Sequence, residues 1–119
     1  MKKILVVEDN EKNMYLIWFI LKSNNYEVIK AATGEEGVAL AIQEKPDLIL
    51  MDIQLPDIDG LEATKRIRKS EPGKKTPIIA VTSFAMSGDR ERLIKGGCTG
   101  YIEKPINLEI LLSEMKKYL

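Results

Sequence analysis

The sequence predicts an α/β fold, a doubly wound five-stranded parallel sheet with strand order 2-1-3-4-5 and a helix after each strand. Three observations carry this prediction. Short apolar runs alternate with segments of helical period along the whole chain. The run at 48–51, LILM, is continuously apolar between Pro46 and Pro56, which suits a parallel strand covered on both faces better than a helix. Acids, hydroxyls and a lysine follow these runs, at the sheet edge where open α/β folds bind ligands.

In chain order, the strand candidates are 4–7, 26–29 with Glu27 as its one charged member, 48–51, 78–81 and 101–102. Segments of helical period lie at 11–24, 34–44, 60–70, 87–96 and 107–118, each long enough for a crossover helix. Start and stop signals agree. Thr33 with Glu36 forms a capping-box pattern, Asp59 and Asn107 can cap the helices that follow them, and Gly96 and Gly97 can end one. Glu71-Pro72-Gly73-Lys74 reads as a surface turn before the fourth strand. No linker, low-complexity tract or repeat interrupts the alternation, so a (βα)5, flavodoxin-like arrangement is expected.

Composition narrows the function classes. With 119 residues, 45% of them apolar, the chain has material for one domain over 1–119 and no room for a second. Eighteen basic and eighteen acidic residues cancel and the pI is near 6.3, which argues against direct nucleic-acid binding through a general basic surface. Cys98 is the only cysteine, so an intrachain disulfide and cysteine-cluster metal sites are excluded; a small buried thiol in a reducing compartment is expected. The apolar run of MKKILVVEDN stops at Glu8, too short for a signal peptide or a membrane span, and a cytoplasmic location is expected. Histidine is absent, so no imidazole can serve as base, metal ligand or phosphate carrier, and any phosphoryl group must come from elsewhere. A monomer or weak dimer is expected. The chain ends after the fifth helix, which leaves no output domain in this sequence.

The carboxyl ends of strands 1, 3, 4 and 5 lie close together in the predicted order. They carry Glu8 and Asp9, Asp52, Thr82 and Ser83, and Lys104. Each has a plain alternative: Asp52 can end a strand and cap a turn, Glu8-Asp9 can be a solvated loop, Thr82 a strand terminus, and Lys104 a surface charge before a proline. Their joint placement points further. Three acids in one cleft repel each other, and a hard divalent cation with oxygen ligands plus one ammonium relieves that repulsion. Magnesium would take one or two carboxylates, a backbone carbonyl and incoming phosphate oxygens.

With VVEDN at 6–10, MDIQLPDIDG at 51–60, VTSFA at 81–85 and YIEKP at 101–105, the sequence resembles a response-regulator receiver domain from its first strand to its last helix. Through EDN, MDIQLP and FAMSGD it is similar to single-domain regulators of the cell-division DivK type. The resemblance implies that Asp52 accepts phosphate from a histidine kinase or a histidine phosphotransfer protein, and that phosphorylation switches binding to a downstream protein target. It implies Mg2+ held by Asp9, Asp52 and the Gln54 backbone carbonyl, with Glu8 acting through a bound water. Glu8 stands where many members carry Asp, a departure that lengthens the side chain. A cis peptide at Lys104–Pro105 is also implied, Pro105 joining Thr82 and Tyr101 in the switch.

Phosphoryl transfer needs an aligned nucleophilic oxygen and neutralised charge more than covalent help. Asp52 would be the nucleophile, forming an acyl phosphate; Mg2+ and Lys104 would stabilise the phosphoryl oxygens, and Thr82 would donate to one of them. Movement of Thr82 could vacate space for Tyr101, whose plain alternative is a half-buried core aromatic. Such a protein is a signalling switch without a separate substrate. A haloacid-dehalogenase-type phosphatase would need a second Asp where Gln54 stands, and a flavin-binding carrier would need a phosphate cradle where Glu8-Asp9 stands. A degenerate scaffold receiver is disfavoured because no expected residue is missing. Gln54 and Phe84 can flank the line of water attack, and Phe84 offers no group to orient water, so slow loss of phosphate is expected.

The first helix, KNMYLIWFILK, is more apolar than one core stripe requires. At about 100° per residue Leu16, Ile17, Ile20 and Leu21 make the predicted core stripe, and Tyr15, Trp18, Phe19 and Lys22 fall opposite. The resemblance implies that phosphodonors dock on this helix, with Tyr15, Trp18 and Phe19 as candidate contacts; cover by the fifth helix or a loop is the alternative.

Overall fold

A computed structural model of the chain describes residues 1–83 and 88–119. Strands β1 (Lys3–Val7), β2 (Glu27–Ala31), β3 (Leu48–Asp52), β4 (Ile78–Thr82) and β5 (Gly100–Glu103) alternate with α1 (Glu11–Ser23), α2 (Gly34–Glu44), α3 (Gly60–Lys69), α4 (Asp89–Lys95) and α5 (Leu108–Lys116). All four pairings are parallel, and the sheet order is β2-β1-β3-β4-β5, as the alternation predicts.

Burial explains why the strand sequences read as unbroken apolar runs. Leu5, Val7, Ile49, Met51, Ile78 and Ala80 face one core, whereas Ile4, Val6, Leu48, Leu50, Ile79 and Val81 face another built with Ile17 and Leu21 of α1 and Leu111 and Met115 of α5. Each fully buried Leu or Ile contributes about 1.5–3 kcal/mol before chain entropy is counted. Strand β2, at one edge of the sheet, is the least buried of the five. Glu27 and Lys30 of β2 are exposed, and the strand runs two residues beyond the predicted 26–29 because its pairing with β1 continues to Val7↔Ala31. Tyr26 lies outside it, its N–H donating to Leu21 O at the end of α1.

The helix caps follow the sequence signals. Thr33 Oγ1 accepts from Glu36 N–H while Glu36 Oε1 accepts from Ala32 N–H, and Asp59 and Asn107 accept from the first turns of α3 and α5. Asn10 caps α1 in the same way. Gly96 closes α4, and Gly97 follows at φ 108°, a left-handed conformation that favours glycine. The predicted core stripe of α1 holds only in part. Ile17 and Leu21 are buried, but Ile20 is half-buried and Leu16 is 40% exposed, lining a groove with Lys104, Pro105 and Ile106 at the strands' carboxyl edge.

At the amino ends of β4 and β5 a single side chain holds the connections together. The Arg68 guanidinium donates to Gly97 O, Gly73 O, Thr76 O and Thr99 Oγ1 at 2.6–3.3 Å. Burial pushes the Arg68 pKa down, yet the planar fork satisfies four acceptors, two in each of the α3–β4 and α4–β5 connections. Arg68→Ala is expected to lower stability to urea by about 2–4 kcal/mol, since several charge-assisted bonds are lost. Arg68→Lys should recover little of that, because one ammonium cannot span the same acceptors.

Candidate functional site

The register brings the charged residues together. Val7 pairs with Met51 and Asp52 with Val81, so Glu8, Asp52 and Thr82 emerge from adjacent strands at one edge. Backbone bonds extend the ladder past the strands: Ile53 N–H donates to Val81 O at 3.1 Å and Lys104 N–H to Thr82 O at 2.7 Å. Glu8, Asp52 and Thr82 are therefore buried although they are polar, while Asp9 and Ser83 are exposed.

Lys104 reaches over this edge. Its Nζ lies 3.2 Å from Asp52 Oδ2 and 3.3 Å from Glu8 Oε1. Burial works against the ammonium, but the charges of Asp52 and Glu8 outweigh it and raise the Lys104 pKa. The other Asp52 oxygen, Oδ1, accepts from Gln54 N–H at 3.1 Å, so both oxygens are oriented. Glu8 is less well served. Among the described residues, its Oε2 accepts only a long bond from Asn10 N–H, 3.5 Å, and buried Oε1 has the nearby ammonium but no well-formed hydrogen bond. Burial, with the Asp52 carboxylate beside it, pushes the Glu8 carboxyl up to about 7, against the opposing pull of Lys104.

Glu8, Asp9 and Asp52 each offer a carboxylate oxygen, and these oxygens lie within 4.8 Å of one another. Three carboxylates meet one ammonium, one carboxylate oxygen is orphaned, and every donor is hard. This set fits a small divalent cation of the Mg2+ type. The loop beyond Asp52 is shaped by Gly60, whose N–H donates to Ile53 O at 2.9 Å; a Cβ there would collide with the Asp52 carbonyl oxygen. Gln54 stands in this loop with its side chain exposed. The peptide between Lys104 and Pro105 is cis. Tyr101 is half-buried against the core, with the Arg90 guanidinium 6.0 Å from its ring centre. Phe84 lies outside the described residues.

The aromatic cluster on α1 forms, but only two of its three rings are exposed. Tyr15 and Phe19 are 61% and 51% exposed, whereas Trp18 is half-buried towards β2, with Lys30 Nζ 4.8 Å from its ring centre. Tyr15 bridges the other two at centroid distances of 6.0 and 6.3 Å. Of α1, Asn13 and Leu16 share a groove with Ser83, Lys104, Pro105 and Ile106. Helical period alone puts Leu16 in the core, and nothing local in the sequence marks it as surface.

Fold and site together define a parallel α/β protein with an acidic pocket compensated by lysine at the sheet's carboxyl edge. The chain belongs to the response regulator receiver domain family, whose model matches residues 4–116, and it is thus a receiver domain of two-component signalling. It is 48% identical to the polar-differentiation response regulator DivK of Brucella ovis over 118 residues, 99% of this chain and 96% of that one. The DivK of Brucella anthropi is 47% identical over the same shares. Among solved structures, the receiver domain of sensor histidine kinase PA1611 from Pseudomonas aeruginosa, described with a magnesium ion coordinated in its active site cleft, superposes with a TM-score of 0.92 at 39% identity, covering 98% of this chain and 96% of that chain. Chemotaxis protein CheY4 of Vibrio cholerae superposes with a TM-score of 0.95 at 32% identity, covering 100% and 99%. No helix among the described residues is long and apolar enough to cross a membrane.

The raised Glu8 pKa carries a stability consequence for the metal-free chain. The folded chain holds the Glu8 proton more tightly than the unfolded chain, where the carboxyl has its ordinary value of 4.5, so this group's contribution to stability is full below 4.5 and is lost as pH rises from there through about 7. Glu8→Gln, measured by thermal unfolding with a chelator present, is expected to stabilise the chain by about 2 kcal/mol at pH 8, and the gain should vanish near pH 4.5.

Proposed function

We propose that this receiver domain takes a phosphoryl group onto Asp52 from the phosphohistidine of a histidine kinase or phosphotransfer protein, in a Mg2+-dependent reaction that switches binding of a downstream protein. The observation that carries this reading is the Asp52 carboxylate, buried and held by Lys104 at 3.2 Å, beside the Glu8–Asp9–Asp52 cluster. Asp9, Asp52 and the Gln54 carbonyl would hold the ion, with Glu8 acting through a water. Bound Mg2+ supplies neutralisation of phosphoryl charge.

The chain's own residues do the rest. A carboxylate oxygen of Asp52 attacks phosphorus, the P–N bond to the donor imidazole breaks, and its electron pair leaves with the imidazole. Lys104, ionised through the working pH range, follows the charge as it moves from carboxylate to phosphoryl oxygens. Thr82 ends β4, one residue past the Asp52↔Val81 pair, and would donate its hydroxyl to a phosphoryl oxygen. Thr82, Tyr101 and Pro105 form the switch, read out by a protein partner. No second substrate is turned over, so the domain is a signalling switch acting in the cytoplasm rather than an enzyme. Acetyl phosphate plus Mg2+ is expected to label wild-type chain, and Asp52→Asn or chelation to abolish the label in mass spectra; persistent label on Asp52→Asn would identify another acceptor and overturn the reading.

Donor docking belongs on the groove of Asn13, Leu16, Pro105 and Ile106, which also takes in Lys104. A small phosphodonor needs the pocket alone. Leu16→Ala should cut transfer from a cognate phosphohistidine protein by about 10-fold, the loss of one well-placed apolar contact, and leave acetyl phosphate labelling unchanged. Equal loss with both donors would place the effect in the pocket instead.

A further inference from the structure

We infer that Asp57 is a positioning residue of this site, its carboxylate clamping the loop that carries Gln54 to the N-terminus of α2. The inference rests on the proposed reading of the Asp52 pocket and names what holds that pocket's loop in place. Asp57 Oδ1 accepts from Gly34 N–H and Oδ2 from Glu35 N–H, both at 2.8 Å, across 23 and 22 residues of chain. A helix's first N–H groups have no intrahelical acceptor and carry its positive end. Thr33 serves only Glu36 N–H, so the two donors before it are satisfied by Asp57.

The backbone is shaped around this contact. A Cβ at Gly34 would stand 2.5 Å from Ile58 Cγ1, 3.0 Å from Ile58 O and 3.2 Å from Asp57 Oδ1, so the loop seats on α2 only because residue 34 has no side chain. Arg66 of α3 reinforces the same junction by donating to Glu35 Oε1 at 2.7 Å and Glu62 Oε2 at 3.0 Å. The N–H groups of Glu35 and Gly34 hold the Asp57 pKa down near 2 against some burial, and the clamp is ionised at every working pH.

Residues 53–59 are thereby pinned twice, at the base by Gly60 N–H on Ile53 O and further on by Asp57 on α2. Gln54 lies between these points, with its N–H on Asp52 Oδ1. Freeing the Asp57 end lets Gln54 wander, while Asp52 itself stays fixed by β3. The loss therefore falls on ion binding and on Asp52 orientation rather than on the sheet. Outer partners of metal ligands typically alter affinity by 10-fold or more.

The test compares Asp57→Ala, Asp57→Asn and Gly34→Ala with wild type. Mg2+ affinity is measured by calorimetry on the unphosphorylated chain and Gln54 N–H exchange is followed by NMR without metal. Asp57→Ala is expected to weaken Mg2+ binding about 10-fold and to speed Gln54 exchange. Asp57→Asn, which retains one acceptor oxygen, should recover part of both, and Gly34→Ala should reproduce the loss without removing a charge. Wild-type affinity and exchange in Asp57→Ala would overturn the inference, even with a lowered Tm, because the clamp would then be structural only. A wild-type chain that binds no Mg2+ would overturn the functional reading first, and this inference with it.

Discussion

The constraint on which this structure turns is one ammonium placed between two buried carboxylates. Removing charges from water is costly, and a buried carboxylate is tolerated only when paired and hydrogen-bonded. Asp52 meets both conditions, with Lys104 on one oxygen and Gln54 N–H on the other. Glu8 meets one poorly, since its Oε1 has charge nearby but no well-formed hydrogen bond among the described residues. The pocket is thus undercompensated as it stands. That deficit is the physical reason it favours added positive charge, and it explains why the same side chains that destabilise the metal-free edge make a selective place for a hard cation.

Such an edge persists because the remainder of the sheet is saturated with apolar contact. Strands β1, β3 and β4 are buried along nearly their whole length on both faces, and the parallel register fixes where each of them ends. A one-residue slip would turn every strand side chain over, sending Asp52 to a different face and breaking two cores at once. At the opposite edge Arg68 does for loops what Lys104 does for side chains. It gathers backbone carbonyls from connections far apart in sequence, and the β4 and β5 amino ends are held without help from the acidic pocket.

The fold was legible because its signal is local: apolar runs, capping residues and glycine stops each declare themselves within a few positions. The pocket was legible for a related reason, since strand order converts four separate strand ends into one cluster, and Glu8, Asp9, Asp52 and Lys104 stand where that order puts them. What escaped was set by packing between distant segments. Leu16 and Trp18 both belong to an apolar stretch whose helical period marks a face but not its rotation; contact with β2 and the sheet fixed that rotation, burying half of Trp18 and exposing Leu16. The extra residues of β2 came from its partner β1, not from its own composition. Asp57 reads as one more turn acid in LPDIDG, because its acceptors' partners lie in α2, and only the closed fold shows that the carboxylate spans them.

The same closed fold ties the pocket to the surface that a partner could read. Lys104 is held at both ends of its residue: its side chain lies on Asp52 and Glu8, and its backbone N–H on Thr82 O. Any shift in the charge that Lys104 compensates therefore pulls on the ends of β4 and β5 together. Tyr101 sits on the same short strand, paired with Ala80, its ring half-buried and faced by Arg90 from α4. Under the proposed reading, a displacement at the strand ends would bias the packing of this ring. Under the proposed reading, an added phosphoryl group changes the charge facing Lys104 by more than any other event at this site. Under that reading the β4–β5 pair links chemistry at Asp52 to Tyr101 and the Arg90 that faces it, through the Lys104 N–H on Thr82 O and the pairing of Tyr101 with Ala80.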